Sequence, residues 1–340
     1  AQRGTSSTGI SASGYYTCDR WRVSMSGTAG RLTMTQTADG PVGFANCIKL
    51  DCTTADTSIA AGELMYLQQK IEGQNLQAIG KGVTGAKEVT ASFYVKASAA
   101  FTFGLELYDG DNNRQITKLF ATTTDWVRHE ITFPADVDDG SSPFDDDNAA
   151  SLEFQFWLHA GSNSTSGTLN TTSWANTTAA NRAAGIDSFF SSTDNNFFIT
   201  GVQLEVGSQA TPFEHASSFG EQLALCQRYF HFSGFPKIIP GQDQDDGSLT
   251  DYEGQVFSWT LGDNRHATSY SFPTTMRSNP TVVMYGPIDG TSARSASYSS
   301  ATQETVSAYY NESTNGLHGY FQGGSNTTGQ RFFLGADCEL

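Results

Sequence analysis

Short runs of alternating apolar and polar residues dominate the chain and predict β-strands. Clear examples are RLTMTQT, VTASFYVKA and SLEFQFWLHAG, in which Leu, Met, Val, Phe or Trp alternates with polar side chains. Stretches rich in Gly, Ser and Asn separate the runs and are typical of turns. Because such alternation buries one face of each strand, the chain is predicted to be all-β and to form antiparallel sheets.

The runs fall into two groups, and each group has enough strands for a core of its own. Residues 16–215 hold roughly eight to ten runs and a long Ser/Thr/Asn-rich loop at 162–196, which favours a jelly-roll β-sandwich over an immunoglobulin-like one. Residues 229–340 repeat the pattern on a smaller scale and predict a second, smaller β-sandwich. Residues 1–15 are rich in Gly, Ser and Thr and are predicted to be a linker or an arm.

One segment, residues 216–228, carries a helix signal. Ser218 lies three residues before Glu221, which is the spacing of a capping box. Leu223 and Cys226 follow at a helical interval, so one face of the helix is expected to be buried. The segment is therefore predicted to be a short connecting helix that packs between the two β-domains.

Composition and charge exclude two classes of partner. Acidic residues number 35 against 19 basic ones, the formal net charge is -16, and no basic cluster is present. The chain therefore lacks the cationic surface on which nucleic-acid affinity mostly rests. No apolar run reaches membrane-spanning length, so membrane insertion is not expected.

The first residue is Ala rather than Met, which suggests a processed product or, as we favour, part of a longer polypeptide.

The cysteines indicate neither a zinc site nor a disulfide framework. They are odd in number, form no Cys-x-x-Cys pair and have no His nearby at ligand spacing. Cys47 and Cys52 could bridge across a hairpin, but unpaired buried thiols in a protein assembled in a reducing cytosol are the favoured interpretation. The full set is Cys18, Cys47, Cys52, Cys226 and Cys338. No metal and no cofactor is predicted.

The sequence carries no signature of catalysis, so an enzyme is not predicted. No serine lies in Gly-x-Ser-x-Gly, and the histidines form no His-x-x-x-His or His-x-His pair. Glycoside hydrolysis needs two carboxylates at a fixed separation in a cleft, which solvated acidic loops do not provide. Asp109, Asp111 and Asn113 match the first ligand positions of a calcium loop. Arg114 and Phe120 then stand where that loop needs Gly and a bidentate Glu, so the match fails.

Three aromatic residues are candidates for ligand binding: Tyr108, Trp157 and Trp174. Sugar rings stack their apolar C–H faces on aromatic side chains, while neighbouring polar groups bind the hydroxyls. Trp157 follows Phe156 in a strand, so one of the two faces the core and the other faces outward. Ordinary packing is the simpler interpretation for each of the three.

The segment around the predicted helix resembles a known group of proteins. GVQLEVGSQATPFE, EQLALCQRYF, FPTTMRSNPTVV and the final GADCEL occur in this order, as in the C-terminal part of bacteriophage tail-fibre and minor virion structural proteins. DRW, IEGQNL, VTASFYVKAS and FWLHAGS resemble the N-terminal half of the same proteins, which is similar to a carbohydrate-binding-module jelly roll. The residues of this hinge motif are Gln203, Glu205, Pro212, Glu214, Leu223, Cys226 and Arg228.

This resemblance implies a non-catalytic virion component, commonly a homotrimer, assembled in the host cytoplasm. Its partners would be copies of itself, other virion proteins and a host-surface glycan to which a tail fibre or appendage attaches. A second hypothesis is a purely structural virion component, such as a head fibre or connector, without a ligand. A third is a polysaccharide-binding module of a secreted enzyme. Related modules often hold a structural calcium with an Asp pair before the last strand, but Thr200 and Gly201 occupy that place here.

Overall fold

The computed structural model describes residues 2–137, 143–215, 218–235, 240, 254–287, 292–297, 303–305, 307–322 and 330–340. The chain divides into two compact units. The first unit comprises Thr5–His215 with Leu340, and the second comprises Ala216–Glu339 with Gln2–Gly4. Both are built almost entirely from antiparallel strands.

The described residues of the first unit form thirteen strands in two sheets. They are β1 (Ser6–Ile10), β2 (Gly14–Tyr15), β3 (Arg22–Ser26), β4 (Arg31–Thr37), β5 (Cys47–Thr54), β6 (Leu64–Glu72), β7 (Val89–Ala97), β8 (Thr102–Asp109), β9 (Arg114–Ala121), β10 (Val127–Phe133), β11 (Ala150–Ala160), β12 (Ala175–Asn176) and β13 (Asn196–Val206). Short helical turns lie at Gly73–Asn75, Gln77–Ile79, Ser162–Thr165, Ala179–Asn181 and Phe189–Ser191.

The two sheets of the first unit form a jelly-roll β-sandwich, as the strand pattern predicts. Sheet A has six strands in the order β1-β4-β5-β13-β7-β10, and sheet B has seven in the order β12-β9-β8-β11-β6-β3-β2. Phe93 of sheet A and Phe156 of sheet B meet edge to face at 5.0 Å in the core, and both are fully buried. The alternation along β11 directs Phe154 and Phe156 into this core, so Gln155 and Trp157 lie on the opposite face of sheet B.

The predicted linker or arm at residues 1–15 is not a linker in the structure. Strand β1 pairs with β4 at the edge of sheet A, and its last residue, Ile10, is 3% exposed within the core. Residues Gly14 and Tyr15 pair with β3 at the edge of sheet B. An edge strand pairs through its backbone on one side only, so polar, small side chains can form it, and composition alone does not separate it from a linker.

The second unit is a smaller β-sandwich with a core of its own, as predicted. Its strands are β14 (Phe230–Phe232), β15 (Val256–Phe257), β16 (Trp259–Gly262), β17 (Arg265–Ser271), β18 (Thr281–Tyr285), β19 (Arg294–Ser297), β20 (Gln303–Thr305), β21 (Ser307–Ser313), β22 (Gly316–Gln322) and β23 (Gln330–Asp337). One sheet gathers β14, β15, β18, β19 and β20 around β23, and the other has the order β16-β17-β22-β21. Phe321 and Phe332 meet edge to face at 5.5 Å in this core.

The predicted helix forms at Phe219–Gln227, although its predicted buried face does not. Ser218 caps it, since its Oγ accepts a hydrogen bond from the Glu221 backbone N–H at 3.2 Å. Leu223 and Cys226 are only half-buried, and no residue of the helix is buried. Ala216 and Ser217, at the start of the predicted segment, lie outside the described residues.

The cysteines are free thiols, and Cys47, Cys52 and Cys338 are buried as predicted, whereas Cys18 and Cys226 are only half-buried. Cys47 and Cys52 lie in the same strand, β5, so they cannot bridge across a hairpin. Burial raises the pKa of each of these two thiols to about 11. Since the thiolate is the reactive form, both are inert at neutral pH.

Candidate functional site

The outer face of sheet B, which points away from the core, carries an unusual concentration of aromatic and polar side chains. Its centre is Gln155 of β11, which lies opposite Gln68 of β6 on one side and Glu106 of β8 on the other. Neighbouring strands in register extend these rows across the sheet. The side chains that share this face are Arg22, Ser24, Tyr66, Gln68, Lys70, Glu106, Tyr108, Gln115, Thr117, Glu153, Gln155 and Trp157.

A row of planar groups in contact with one another runs across this face. The ring centroids of Tyr66 and Trp157 lie 4.7 Å apart, and the two ring planes are tilted by 43°. The guanidinium of Arg182 lies 5.1 Å from the Trp157 ring and 4.8 Å from the Tyr108 ring. Tyr66, Trp157, Arg182 and Tyr108, in this order, therefore form a continuous row of aromatic and guanidinium groups, here called the platform.

Glu106 anchors the platform from below. Its carboxylate accepts hydrogen bonds from Arg182 Nε (3.0 Å), Arg182 Nη2 (2.9 Å) and Trp157 Nε1 (2.7 Å). Glu106 is fully buried, and burial raises its pKa while the adjacent Arg182 guanidinium opposes the rise. Arg182 Nη2 also donates to Gln155 Oε1 at 3.2 Å. Together these hydrogen bonds hold the Arg182 guanidinium and the Trp157 indole each in one orientation.

Residues 162–187, here called the covering segment, lie over part of the outer face. The segment follows the edge of sheet B, where the Thr117 N–H donates to the Asn170 carbonyl at 3.0 Å and the Asp187 N–H donates to the Thr102 carbonyl at 2.8 Å. As a result Trp157 is fully buried although it points away from the core. The sequence predicts this segment only as a long surface loop.

The covering segment leaves one part of the outer face open, here called the accessible strip. Its residues are half-buried, with their side chains both packed on the sheet and open to solvent. The strip consists of Arg22, Tyr66, Lys70, Tyr108 and Glu153.

Hydrogen bonds hold the polar groups of the accessible strip in place. Glu153 Oε2 accepts from the amide of Gln155 at 2.5 Å. With the Gln68 amide in the orientation that satisfies both its oxygen and its nitrogen, Glu153 Oε2 also accepts from the Gln68 amide nitrogen at 3.1 Å. Lys70 Nζ lies 3.3 Å from Glu153 Oε1, and these side chains are 22% and 18% exposed. A ligand on the strip would therefore meet an ordered set of donors and acceptors.

The structure brings together two of the three aromatic candidates. Tyr108 is at the end of the accessible strip, and its hydroxyl hydrogen-bonds to Asn113 Oδ1 at 3.1 Å. Trp157 belongs to the same platform but contributes from beneath the covering segment. Tyr66 completes the platform, although the sequence interpretation missed it. The alternation in LMYLQQKIE places Tyr66, Gln68 and Lys70 on one face, but only strand pairing shows that this is the face of Trp157.

Trp174 lies apart from this platform. Its indole packs against the sandwich core, and its Nε1 donates to the Pro134 carbonyl at 2.9 Å. With Leu107 and Leu152 it lines a cavity of about 10 Å³, room for about one water molecule. Trp174 therefore fastens the covering segment to the core.

The first residues of the hinge motif form a compact turn beside β13. Gln203 Nε2 donates to Thr211 Oγ1 at 3.1 Å, and Gln203 Oε1 accepts from the Glu214 N–H at 3.0 Å. Glu205 accepts from the Thr211 N–H at 3.0 Å. Although desolvation opposes it, the hydrogen bonds from Thr211 and Gln203 hold the pKa of Glu205 below its usual range. Strand β13 ends at Val206, so Pro212 stands within the turn rather than at the strand end.

The last residues of the motif belong to the second unit. Leu223 and Cys226 lie on the helix described above, and Arg228 follows it. The Arg228 carbonyl accepts hydrogen bonds from the Arg277 N–H at 2.8 Å and from Cys338 Sγ at 3.3 Å. These contacts join the helix end to the core of the second unit.

The second unit has an open pocket of about 520 Å³, lined in part by Phe230, Tyr285, Asp337 and Glu339. Arg3 is stacked on Phe230 at 3.6 Å and pairs with Asp337 at 2.8 Å and Glu339 at 3.2 Å. The carboxylates of this pocket are thus already engaged with a cation of the same unit. The pocket lacks the row of planar groups found on sheet B.

Within the described part of the chain, no group of three or more His, Cys, Asp or Glu side chains is arranged to hold a metal ion. None of the described helices is long and apolar enough to cross a membrane.

The chain matches no family model and no curated protein sequence. Solved structures with some similarity include a family 11 carbohydrate-binding module from Clostridium thermocellum in complex with a β-1,3-1,4-mixed-linked tetrasaccharide, with 11% identity over 61% of this chain and 99% of that one and a TM-score of 0.30. The CBM22-1 xylan-binding domain of Paenibacillus barcinonensis Xyn10C shows 12% identity over 55% and 87% of the chains, with a TM-score of 0.27. A third, TmCBM61 in complex with β-1,4-galactotriose, shows 11% identity over 55% and 88%, with a TM-score of 0.28. Scores this low carry no argument about a ligand.

Proposed function

We propose that the first unit is a carbohydrate-binding module whose ligand lies on the accessible strip of sheet B. The observation that carries this proposal is the pair of half-buried rings Tyr66 and Tyr108 beside an ordered set of polar groups, with Arg182 and the buried Trp157 between them. Aromatic rings bind the apolar C–H faces of sugars, and planar polar side chains bind their hydroxyls. A strip that crosses four strands, β3, β6, β11 and β8, suits an extended oligosaccharide.

Binding is favoured over hydrolysis by the state of Glu106, beneath the platform, and of Glu153, on the accessible strip. Glu106 is fully buried beneath the platform and engaged by Arg182, so a glycosidic bond cannot reach it. Glu153 is held by Lys70 and by the amides of Gln68 and Gln155. A hydrolase needs a proton-donating carboxyl group and a second carboxylate that both reach the sugar.

Three settings for such a module follow from the sequence, and they need different evidence. A polysaccharide-binding module of a secreted enzyme needs only the binding face, so the accessible strip supports it directly. A bacteriophage tail fibre or appendage that attaches to a host glycan uses the same face but also needs a place on the virion, and for this the hinge motif is the only support. A purely structural virion component without a ligand would leave the strip without a role.

A glycan array followed by calorimetric titration tests the proposal. Tyr66→Ala and Tyr108→Ala should each weaken binding about tenfold or more, because each removes one stacking ring. Tyr94→Ala, on the outer face of sheet A, is the matched control and should bind as the parent does. Unchanged affinity in both strip variants, or no glycan bound by the parent, would overturn the proposal.

A further inference from the structure

We infer that the carbohydrate bound on the accessible strip is anionic, with uronate carboxylates or sulfate esters along its chain. This inference rests on the proposed function and adds the chemical class of the ligand. It comes from the sign of the charge on the strip, which is opposite to that of the whole chain.

The accessible strip carries two cations, Arg22 and Lys70, and one carboxylate, Glu153. Beside the strip, Arg182 of the platform is paired with Glu106. The whole chain, by contrast, has a formal net charge of -16. A local excess of positive charge on an otherwise acidic protein attracts anions selectively to this one face.

Arg22 supplies the unbalanced charge. Its guanidinium is hydrogen-bonded to the Ser24 hydroxyl and, at 2.9 Å, to the amide of Gln68, and both of these groups are neutral. Among the described residues, no carboxylate lies within ion-pairing distance of it. A half-buried guanidinium without a counter-charge is stabilised most by an anion, and it can bind a carboxylate or sulfate through two parallel hydrogen bonds.

Arg182 and Lys70 can also contribute to binding of an anionic chain. The bonds of Arg182 to Glu106 and Gln155 use Nε and Nη2, and Nη1 has no hydrogen bond within the described part of the chain. Its side chain is 19% exposed, so this edge can reach a ligand above the platform. Lys70 and Glu153 form a partly exposed pair of the kind that contributes little stability. Glu153 keeps the amides of Gln155 and Gln68 as partners if Lys70 turns towards a ligand.

A neutral glycan would be a poorer fit. It would exclude water from Arg22 without supplying a compensating charge, and that desolvation opposes binding. An anionic glycan replaces the lost hydration with a charge-assisted hydrogen bond while its ring faces stack on Tyr66 and Tyr108.

The experiment compares charged and neutral forms of the same sugar chains by calorimetric titration of the whole protein. One arm uses oligogalacturonate and its carboxyl-reduced form, and the other uses a sulfated galactan oligomer and its desulfated form, so the arms distinguish the two sources of charge. We expect the charged member of at least one pair to bind about tenfold more tightly, with affinity that falls as salt is added.

Substitutions then test whether the preference for a charged ligand arises from the cations of the strip. Arg22→Gln and Lys70→Gln should each weaken binding of the charged oligomer about fivefold to tenfold and reduce its salt dependence. Lys49→Gln, a half-buried lysine on the outer face of sheet A, is the matched control. Equal or tighter binding of the neutral members, or anion binding that Arg22→Gln leaves unchanged, would overturn this inference while the proposed function stands. No binding of any glycan, charged or neutral, would overturn both.

Discussion

At the scale of single residues, the ion pair between Glu106 and Arg182 links sheet B to the covering segment. Glu106 is fully buried, and the two side chains meet at 2.9 Å. A buried ion pair contributes little net stability, but removal of one partner leaves an uncompensated charge in a low-dielectric site. The pair therefore reports whether the covering segment is held to the sheet as the structure shows.

Arg182→Met should lower the free energy of unfolding of the first unit by about 3 kcal/mol, because it leaves the buried Glu106 carboxylate unpaired. The double variant Arg182→Met with Glu106→Gln should recover much of that loss, since Gln is neutral and its amide oxygen can still accept from Trp157. Guanidinium chloride unfolding of both variants measures the difference. A loss of less than about 0.5 kcal/mol in the single variant would show that the pair is not buried as described.

His231 should make the second unit less stable in acid. Burial lowers its pKa from 6.5 to about 4, so the unfolded chain takes up the proton first as the pH falls. Its contribution to stability is complete above about pH 6.5 and is lost between there and about pH 4, by roughly 3 kcal/mol at most.

Scanning calorimetry of the second unit's transition at several pH values tests this expectation. His231→Gln should flatten the pH dependence in that window, whereas His318→Gln, at an exposed position, should leave it as it is. The same slope in the His231→Gln variant and the parent would contradict the assignment.

At the scale of elements, β1 is the clearest example of a strand that composition alone does not reveal. Its outward side chains are small and polar, and its inward contribution to the core is the single residue Ile10. The composition of β1 therefore suggests a linker, and only the backbone pairing with β4 shows that it is a strand.

Ile10→Ser should destabilise the first unit by about 2–4 kcal/mol, because it places a hydroxyl in an apolar site and removes buried methyl groups. Val42→Ser, at a fully exposed position, is the control and should change stability by less than about 0.5 kcal/mol. Thermal unfolding monitored by circular dichroism gives both values. If the two variants melt alike, residues 1–15 act as the linker that composition suggests.

Local patterns predicted most of the elements but not how they come together. Alternation in SLEFQFWLHAG correctly places Phe156 in the core and Trp157 on the opposite face, and the Ser218 cap forms as its spacing predicts. The platform depends instead on long-range pairing. Arg182 lies in a stretch without periodicity, and its partner Glu106 is 76 residues away. No local signal links the two, so the covering segment and the burial of Trp157 emerge only from the fold.

At the scale of the whole molecule, the homotrimer implied by the virion resemblance stays a prediction. Copies of one chain usually associate with closed symmetry, and a threefold fibre end would follow that rule. Light scattering at micromolar concentration should then give about three times the 36.6 kDa chain mass. A mass equal to that of one chain would remove the trimer and weaken the tail-fibre hypothesis without affecting the carbohydrate-binding face.

The central claim is that the accessible strip of sheet B binds carbohydrate. The most direct test is a crystal structure of the protein with the oligosaccharide that binds it most tightly on the array. We predict a sugar chain over Tyr66 and Tyr108, with an anionic group beside Arg22. A sugar bound on the outer face of sheet A, around Trp126 and Phe198, or in the pocket of the second unit, with the strip of sheet B empty, would contradict the claim.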